Sequence, residues 1–285
     1  MSTLKVAAVQ MRSGTEVGRN LTDVETLVRE AAGAGATYVQ TPEMTGVLVR
    51  DKASLRAMIQ PQERDPVSRR AAELAAELSI HLHIGSTAIA LPDGKVANRA
   101  FLFSPQGRLL ATYDKIHMFD VDLDNGESWR ESATYEPGRS AVVAELPFGR
   151  LGLAVCYDLR FPQLFRAEAL AGADILTVPA AFTRQTGAAH WHALLRARAI
   201  ENGAFVIAAA QGGRHEDGRE TFGHSMIVDP WGRIVAEADH DSPGIVLAEI
   251  DLAEVAAARA KIPNLNNARQ FDVVLAGAQA QRKAI

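Results

Sequence analysis

The chain has 285 residues, 47% of them hydrophobic and 22% charged, with a single cysteine. Thirty basic against 34 acidic residues leave a formal charge of −4, which implies no general affinity for nucleic acid or other polyanions. One cysteine excludes an intramolecular disulfide framework and a multi-cysteine zinc site, and the composition fits a reducing, cytoplasmic compartment.

A strand is predicted over 5–11, then a helix over 21–34 and a strand over 37–41. Asp65 as N-cap and Pro66 at the first helical position open the next helix. Its body, 69–78, carries Ala71, Ala72, Leu74, Ala75 and Leu78 on one face. Strands 81–90, 100–104 and 109–113 follow one another through Pro92-Asp93-Gly94 and Pro105-Gln106-Gly107, turns that make hairpins. Strands 141–146 and 151–155, helix 162–171, strand 175–179, helix 188–202 and strand 204–210 come next. Strands 226–229 and 233–237, joined at Pro230-Trp231-Gly232, precede strand 245–250 and helix 252–260. Strand–helix alternation mixed with hairpins predicts a layered α/β fold with mixed sheets. No linker, low-complexity stretch or 20–50-residue repeat divides it, so 1–285 reads as one domain. Residues 1–10 are too short and interrupted for a signal sequence. The most apolar interior stretch, 203–210, falls far below the roughly 18 residues of a spanning helix, so no membrane association is expected.

Several familiar signatures fail. Gly33-Ala34-Gly35 follows a helix and precedes a strand, the reverse of a dinucleotide loop. Gly223-His224-Ser225-Met226-Ile227 lacks the closing glycine of a serine nucleophile elbow. His81 and His83 share a strand face with no acidic or cysteine ligand nearby, while His190 and His192 diverge on a helix. No metal site is expected.

Cys156 ends an apolar strand where polarity changes sharply, ahead of a helix near Pro162. Backbone N–H groups and a helix dipole there favour a thiolate, although a lone cysteine is also commonly a buried, inert one. Glu43 follows Thr41-Pro42 at the end of the second strand, Lys115 ends the strand 109–113, and Glu131 lies in a loop rich in aspartate and glycine. Each alone reads as a solvated charge, yet sheet strand ends are where such groups converge.

These positions and their flanks, Thr41-Pro42-Glu43, Tyr113-Asp114-Lys115-Ile116-His117 and Cys156-Tyr157-Asp158-Leu159-Arg160-Phe161-Pro162, resemble the nitrilase (carbon–nitrogen hydrolase) superfamily almost end to end. The resemblance implies a Glu43-Lys115-Cys156 triad with Glu131 as a second glutamate. It also implies a four-layer α-β-β-α sandwich, homodimers or higher homo-oligomers, and a small-molecule amide substrate with no cofactor. Ala181-Phe182-Thr183, Thr186-Gly187-Ala188-Ala189-His190-Trp191, and Gly223-His224-Ser225-Met226-Ile227-Val228-Asp229-Pro230-Trp231-Gly232 look like the branch that hydrolyses deaminated glutathione. The segment 262–269 departs from many relatives in lacking an arginine-proline pair.

An amide is a poor electrophile, so a thiolate, a proton shuttle and an oxyanion stabiliser are all useful. Glu43 is expected to move protons, Cys156 to form a thioester, and Lys115 with the Tyr157 N–H to face the oxyanion, with acid and ammonia as products. Arg160 is the expected partner of a substrate carboxylate. Arg184 and His190 are expected to line the same cleft with Thr183, and Phe182 to form a wall. The alternatives are an ω-amidase, an N-carbamoyl amine hydrolase, or a non-catalytic small-molecule-binding protein on the same fold.

Overall fold

Asp65 behaves as its sequence predicts. Its carboxylate accepts the Ser68 N–H at 2.7 Å, Pro66 occupies the first turn, and the helix runs to Leu78, ending on Ser79 in the left-handed region. Such caps satisfy N–H groups that the helix itself leaves orphaned.

The computed structural model describes residues 3–123, 126 and 128–276. Its first half contains β1 (Thr3–Gln10), α1 (Val17–Gly33), β2 (Tyr38–Gln40), α2 (Lys52–Met58), α3 (Pro66–Leu78), β3 (His81–Ala90), β4 (Val96–Phe103) and β5 (Leu109–Asp114). A small ribbon of β6 (Asp120–Asp122) and β7 (Ser128–Arg130) leads to β8 (Val142–Leu146) and β9 (Gly149–Leu153). The second half continues with α4 (Pro162–Leu170), β10 (Ile175–Thr177), α5 (Arg184–Asn202), β11 (Phe205–Ala208), β12 (Gly212–Arg214) and β13 (Glu220–Phe222). It closes with β14 (Met226–Val228), β15 (Ile234–Glu237), β16 (Gly244–Asp251) and α6 (Ala253–Lys261).

Two six-stranded sheets result, ordered β16-β1-β2-β3-β4-β5 and β8-β9-β10-β11-β14-β15. Each has an antiparallel edge pair, two parallel joints through helices, and two antiparallel joints. The same sequence of pairings thus occurs twice, a duplication of architecture that no residue repeat announces. The three turns expected to make hairpins do so, joining β3 to β4, β4 to β5 and β14 to β15.

Side-chain alternation builds the layers. Val9, Val39, Leu82 and Phe101 point outward beneath Val28 of α1 and Leu74 of α3. Val6, Ala8, Tyr38 and Leu102 instead join the core that contains Leu151, Leu153 and Leu176 of the second sheet. Phe165 of α4 and Trp191 of α5 belong to that same core and are fully buried. Burying an apolar side chain of this kind contributes roughly 1.5–3 kcal/mol. Mixed sheets flanked by helices give the α-β-β-α sandwich that the motifs imply.

Several elements depart from expectation, α1 among them, which starts at Val17 rather than 21. Helix α5 starts at Arg184 rather than 188, and β4 starts at Val96 rather than 100. Helix α2 and the two ribbons, β6–β7 and β12–β13, lack the apolar runs by which strands and helices are recognised. Among the described residues, no helix is long and apolar enough to cross a membrane.

Candidate active site

Glu43 lies just beyond β2, Lys115 directly beyond β5, and Cys156 just beyond β9, so the strand ends do converge. The Lys115 Nζ donates to Oε1 of Glu43 at 2.9 Å and to both Glu131 oxygens at 3.0 and 2.9 Å. The other Glu43 oxygen accepts the Ala181 N–H at 2.9 Å, and the Cys156 thiol faces the same carboxylate. Glu131 is steadied by the Phe119 N–H at 2.7 Å.

Asn98 is a member that the sequence reading missed. Its Nδ2 donates to Glu43 Oε1 at 2.9 Å and to Glu131 Oε1 at 3.2 Å, bridging the two acids that also share Lys115. With the strand placed four residues too late, this buried amide fell outside it. A polar side chain amid Val96, Ala97, Ala100 and Phe101 was the available signal.

Backbone geometry fixes the sulfur. Cys156 has φ +52°, a left-handed conformation that costs a non-glycine residue on the order of 1–3 kcal/mol, and Met44 beside Glu43 has φ +55°. The Cys156 N–H donates to the Pro179 carbonyl at 2.9 Å. Asp158, fully buried, accepts the Val155 N–H at 2.8 Å and the Tyr113 hydroxyl at 2.7 Å through one oxygen. Its other oxygen takes the His117 N–H at 3.1 Å and meets His117 Nδ1 at 2.7 Å. One carboxylate therefore clasps the cysteine turn to the chain on both sides of Lys115. From the far side, Arg198 of α5 donates twice to the Leu159 carbonyl, at 3.0 and 2.7 Å.

A single glycine allows the two halves to meet here. A Cβ on Gly85 would stand 2.2 Å from the Thr41 carbonyl oxygen and 2.3 Å from Pro179 Cβ. Any side chain would push the support of Glu43 away from that of Cys156.

Charge sets the resting protonation. Burial raises the Cys156 thiol well above its usual pKa, and the neighbouring Glu43 carboxylate adds to this while Lys115 only partly opposes it. Burial would also raise Glu43, but Lys115 and hydrogen bonds from Cys156, Lys115 and Ala181 hold it below the ordinary carboxylate value. Burial acts to lower Lys115, and Glu131 and Glu43 outweigh it, holding the ammonium well above its usual value. The sulfur is consequently a thiol facing a carboxylate, not the thiolate that a helix N-terminus would favour. Helix α4 begins only at Pro162, beyond the turn that carries Cys156.

The cleft over these groups has a volume of about 330 Å³, within the range of small-molecule sites. Phe119, Trp129, Tyr135 and Phe182 supply its apolar lining, and Tyr157 and Thr183 also border it. Arg160, Arg184 and His190 do not line it. Arg160 stacks over Phe182, its Cζ 5.2 Å from the ring centroid, and donates to His190 Nδ1 at 3.3 Å. Arg184 faces Glu220 and Asp241 at 3.8 and 3.6 Å. Besides Lys115, the cations at the cleft are Arg50, Lys52, Arg130 and Arg219, none of which the sequence singles out.

A carbon–nitrogen hydrolase family model matches residues 5–260, and the chain belongs to that family, hydrolases of carbon–nitrogen bonds other than peptide bonds. It is 41% identical over 272 residues to the deaminated glutathione amidase of Yersinia enterocolitica, covering 94% of each chain. Saccharomyces cerevisiae Nit3, a member of branch 10 of the nitrilase superfamily, is similar in structure, with TM-score 0.83, 29% identity, and 92% of this chain and 94% of that one covered. A mutant amidase from Nesterenkonia sp. AN1 shows Michael addition of acrylamide at its active-site cysteine. That structure has TM-score 0.75 and 26% identity, with 91% of this chain and 98% of that one covered.

Proposed function

We propose that this protein hydrolyses a small amide bearing a carboxylate remote from the scissile bond, with deaminated glutathione as its substrate. The observation that carries the reading is the buried Glu43–Cys156 contact opening into a cleft whose rim is cationic. Glu43 takes the thiol proton as sulfur attacks the carbonyl carbon, and Lys115 and the Tyr157 N–H face the developing oxyanion. The proton passes from Glu43 to the departing nitrogen, the C–N bond breaks, and a thioester remains on Cys156. Glu43 then takes a proton from water, which attacks the thioester and releases the acid and the thiol. Glu131 and Asn98 hold Lys115 and Glu43 in register.

Arg50 and Lys52 suit the remote carboxylate because neither has an acidic partner among the described residues. Arg130 is occupied by Asp122 at 2.9 and 2.8 Å, and Arg219 by Asp217 at 2.8 Å. Arg50 and Arg219 both stack on Trp129, with Cζ 4.5 and 4.9 Å from the ring centroid. That places two guanidinium groups against one ring of the cleft.

A primary amide would release ammonia, whereas the amides of a glutathione skeleton release an amine, so the assay must read both. Deaminated glutathione, 2-oxoglutaramate, N-carbamoyl amines and nitriles are compared with wild type, Cys156→Ala and Arg50→Ala. The reading expects no turnover by Cys156→Ala and a roughly tenfold or larger rise in KM for the dianionic amide in Arg50→Ala. Equal kcat/KM for uncharged amides, or activity confined to nitriles, would overturn it. The same reading takes the enzyme to be a cytoplasmic homodimer. Exposed Ile200, Trp231 and Ile262 offer apolar surface for a second copy, and light scattering would measure the assembly.

A further inference from the structure

Away from the cleft, three side chains from separate parts of the chain converge on one point. His192 lies on α5, His224 follows β13, and Glu237 ends β15. His192 Nε2 is 2.6 Å from Oε1 of Glu237, and His224 Nδ1 is 3.2 Å from the same oxygen. All three candidate ligand atoms lie within 4.8 Å of one another. We propose that this His192–His224–Glu237 cluster is a binding site for a divalent transition-metal ion, with zinc the best match.

The donor set is the first argument. Two imidazoles and one carboxylate suit zinc or its first-row neighbours, whereas magnesium and calcium demand oxygen ligands. Zinc bonds of about 2.0–2.1 Å in tetrahedral geometry place ligand atoms roughly 3.3 Å apart; the 3.2 Å between His224 and Glu237 already matches this, while the 2.6 Å pair of His192 and Glu237 has to open. Small rotations of the half-exposed His192 open it, and water completes the coordination.

Preorganisation is the second. His224 holds φ +55°, an unfavourable conformation for a non-glycine residue, and its carbonyl accepts the Trp191 indole N–H at 2.8 Å. Its ring stacks on Phe222 with centroids 4.3 Å apart. The backbone and ring of His224 are thus fixed with Nδ1 toward Glu237. Neither His192 Nδ1 nor His224 Nε2 has a hydrogen-bond partner among the described residues. Each ring is therefore free to carry its proton on that nitrogen and offer the facing one to a metal.

Position supplies the consequence. Glu237 and His224 border β14–β15, and α5 begins beside the catalytic cleft, where Thr186 lines the wall. An ion here pins α5 to the β14–β15 hairpin one helical stretch from that wall, without entering it.

The test is zinc chloride titration by calorimetry and thermal unfolding, using tag-free protein. Cys156→Ala serves as a second host, so that zinc on the catalytic sulfur is separated from zinc at this site. The proposal expects one saturable site in both hosts and a Tm rise of about 5 °C at a hundredfold excess over Kd. Glu237→Gln and His192→Ala should each weaken binding at least tenfold, while His224→Asn preserves the left-handed backbone and weakens it similarly. Binding lost in Cys156→Ala but kept in the cluster variants overturns the site. So does an absence of saturable binding below about 100 µM. Neither result bears on the amidase reading, which the cleft residues carry.

Discussion

The Lys115 ammonium and the Glu43 carboxylate are joined at 2.9 Å with both side chains almost wholly buried. Lys115 thereby keeps Glu43 ionised, while burial, reinforced by the same carboxylate, keeps Cys156 protonated. Basicity and nucleophilicity are coupled through one charge, and the coupling can be broken experimentally.

Glu43→Gln removes the carboxylate that raises the thiol pKa. Amide turnover should fall by at least about 10³-fold for loss of the proton shuttle. Alkylation of Cys156 by iodoacetamide at neutral pH should persist or quicken, because the thiolate is less disfavoured. Mass spectrometry of the alkylated protein, run beside the turnover assay, reads both. Parallel loss of turnover and alkylation would mean that Glu43 only supports the fold.

The pH profile of kcat/KM follows from the same charges. Because Glu43 is held below the ordinary value of 4.5, its protonation should remove activity only as pH falls through that lower pKa. Lys115 stays charged well above 10.5, so activity should be flat from about pH 6 to 9. A rise with pH that tracks thiol ionisation would instead indicate direct attack by a free thiolate.

Asn98→Ala tests the bridge between Glu43 and Glu131. Hydrogen bonds to charged groups are worth about 1.5–3 kcal/mol, so kcat should drop roughly 10- to 100-fold. KM should change little, since Asn98 acts by positioning Lys115 and Glu43. Asn98→Asp would add a third acid to the pair and should be worse than alanine, a ranking that mere loss of volume would reverse.

His83, fully buried against the Tyr38 hydroxyl at 2.9 Å, has its pKa lowered by burial from 6.5 to about 3. The folded form stays neutral while the unfolded chain takes up a proton as pH falls below 6.5. Stability contributed by this difference is present above that value and lost toward pH 3. Between pH 7 and 5 the loss should be about 2 kcal/mol. Denaturant unfolding of wild type and His83→Gln at both pH values checks it, with the variant expected to lose this dependence.

The sequence carried the chemistry more fully than the specificity. Glu43, Lys115 and Cys156 were legible because strand ends and their flanks mark them, and the sheets bring those ends together. Asp158 and Arg198 lay within recognised runs, but their role depends on which carbonyls and N–H groups come near, which only folding decides. Arg50 and Trp129 were invisible for another reason: the first precedes a short polar helix and the second sits inside a three-residue strand, neither with any periodicity. Arg160 and Arg184 were plausible by proximity in sequence, yet the first stacks on Phe182 and acidic neighbours engage the second. The histidine cluster escaped notice because its members are 32 and 13 positions apart, beyond any local spacing rule.

The repeated strand order has a consequence for how activity appears during synthesis. Glu43, Asn98 and Lys115 belong to the first sheet and its exits, whereas Cys156 belongs to the second. A nascent chain that has made only β1 to β5 of the first half has a base with nothing to activate. Even that half is unfinished, since its edge strand β16 comes from residues 244–251. The reactive sulfur and its proton acceptor are brought together only where the strand ends of both sheets meet. Recovery of turnover during refolding therefore reports that the two sheets have met.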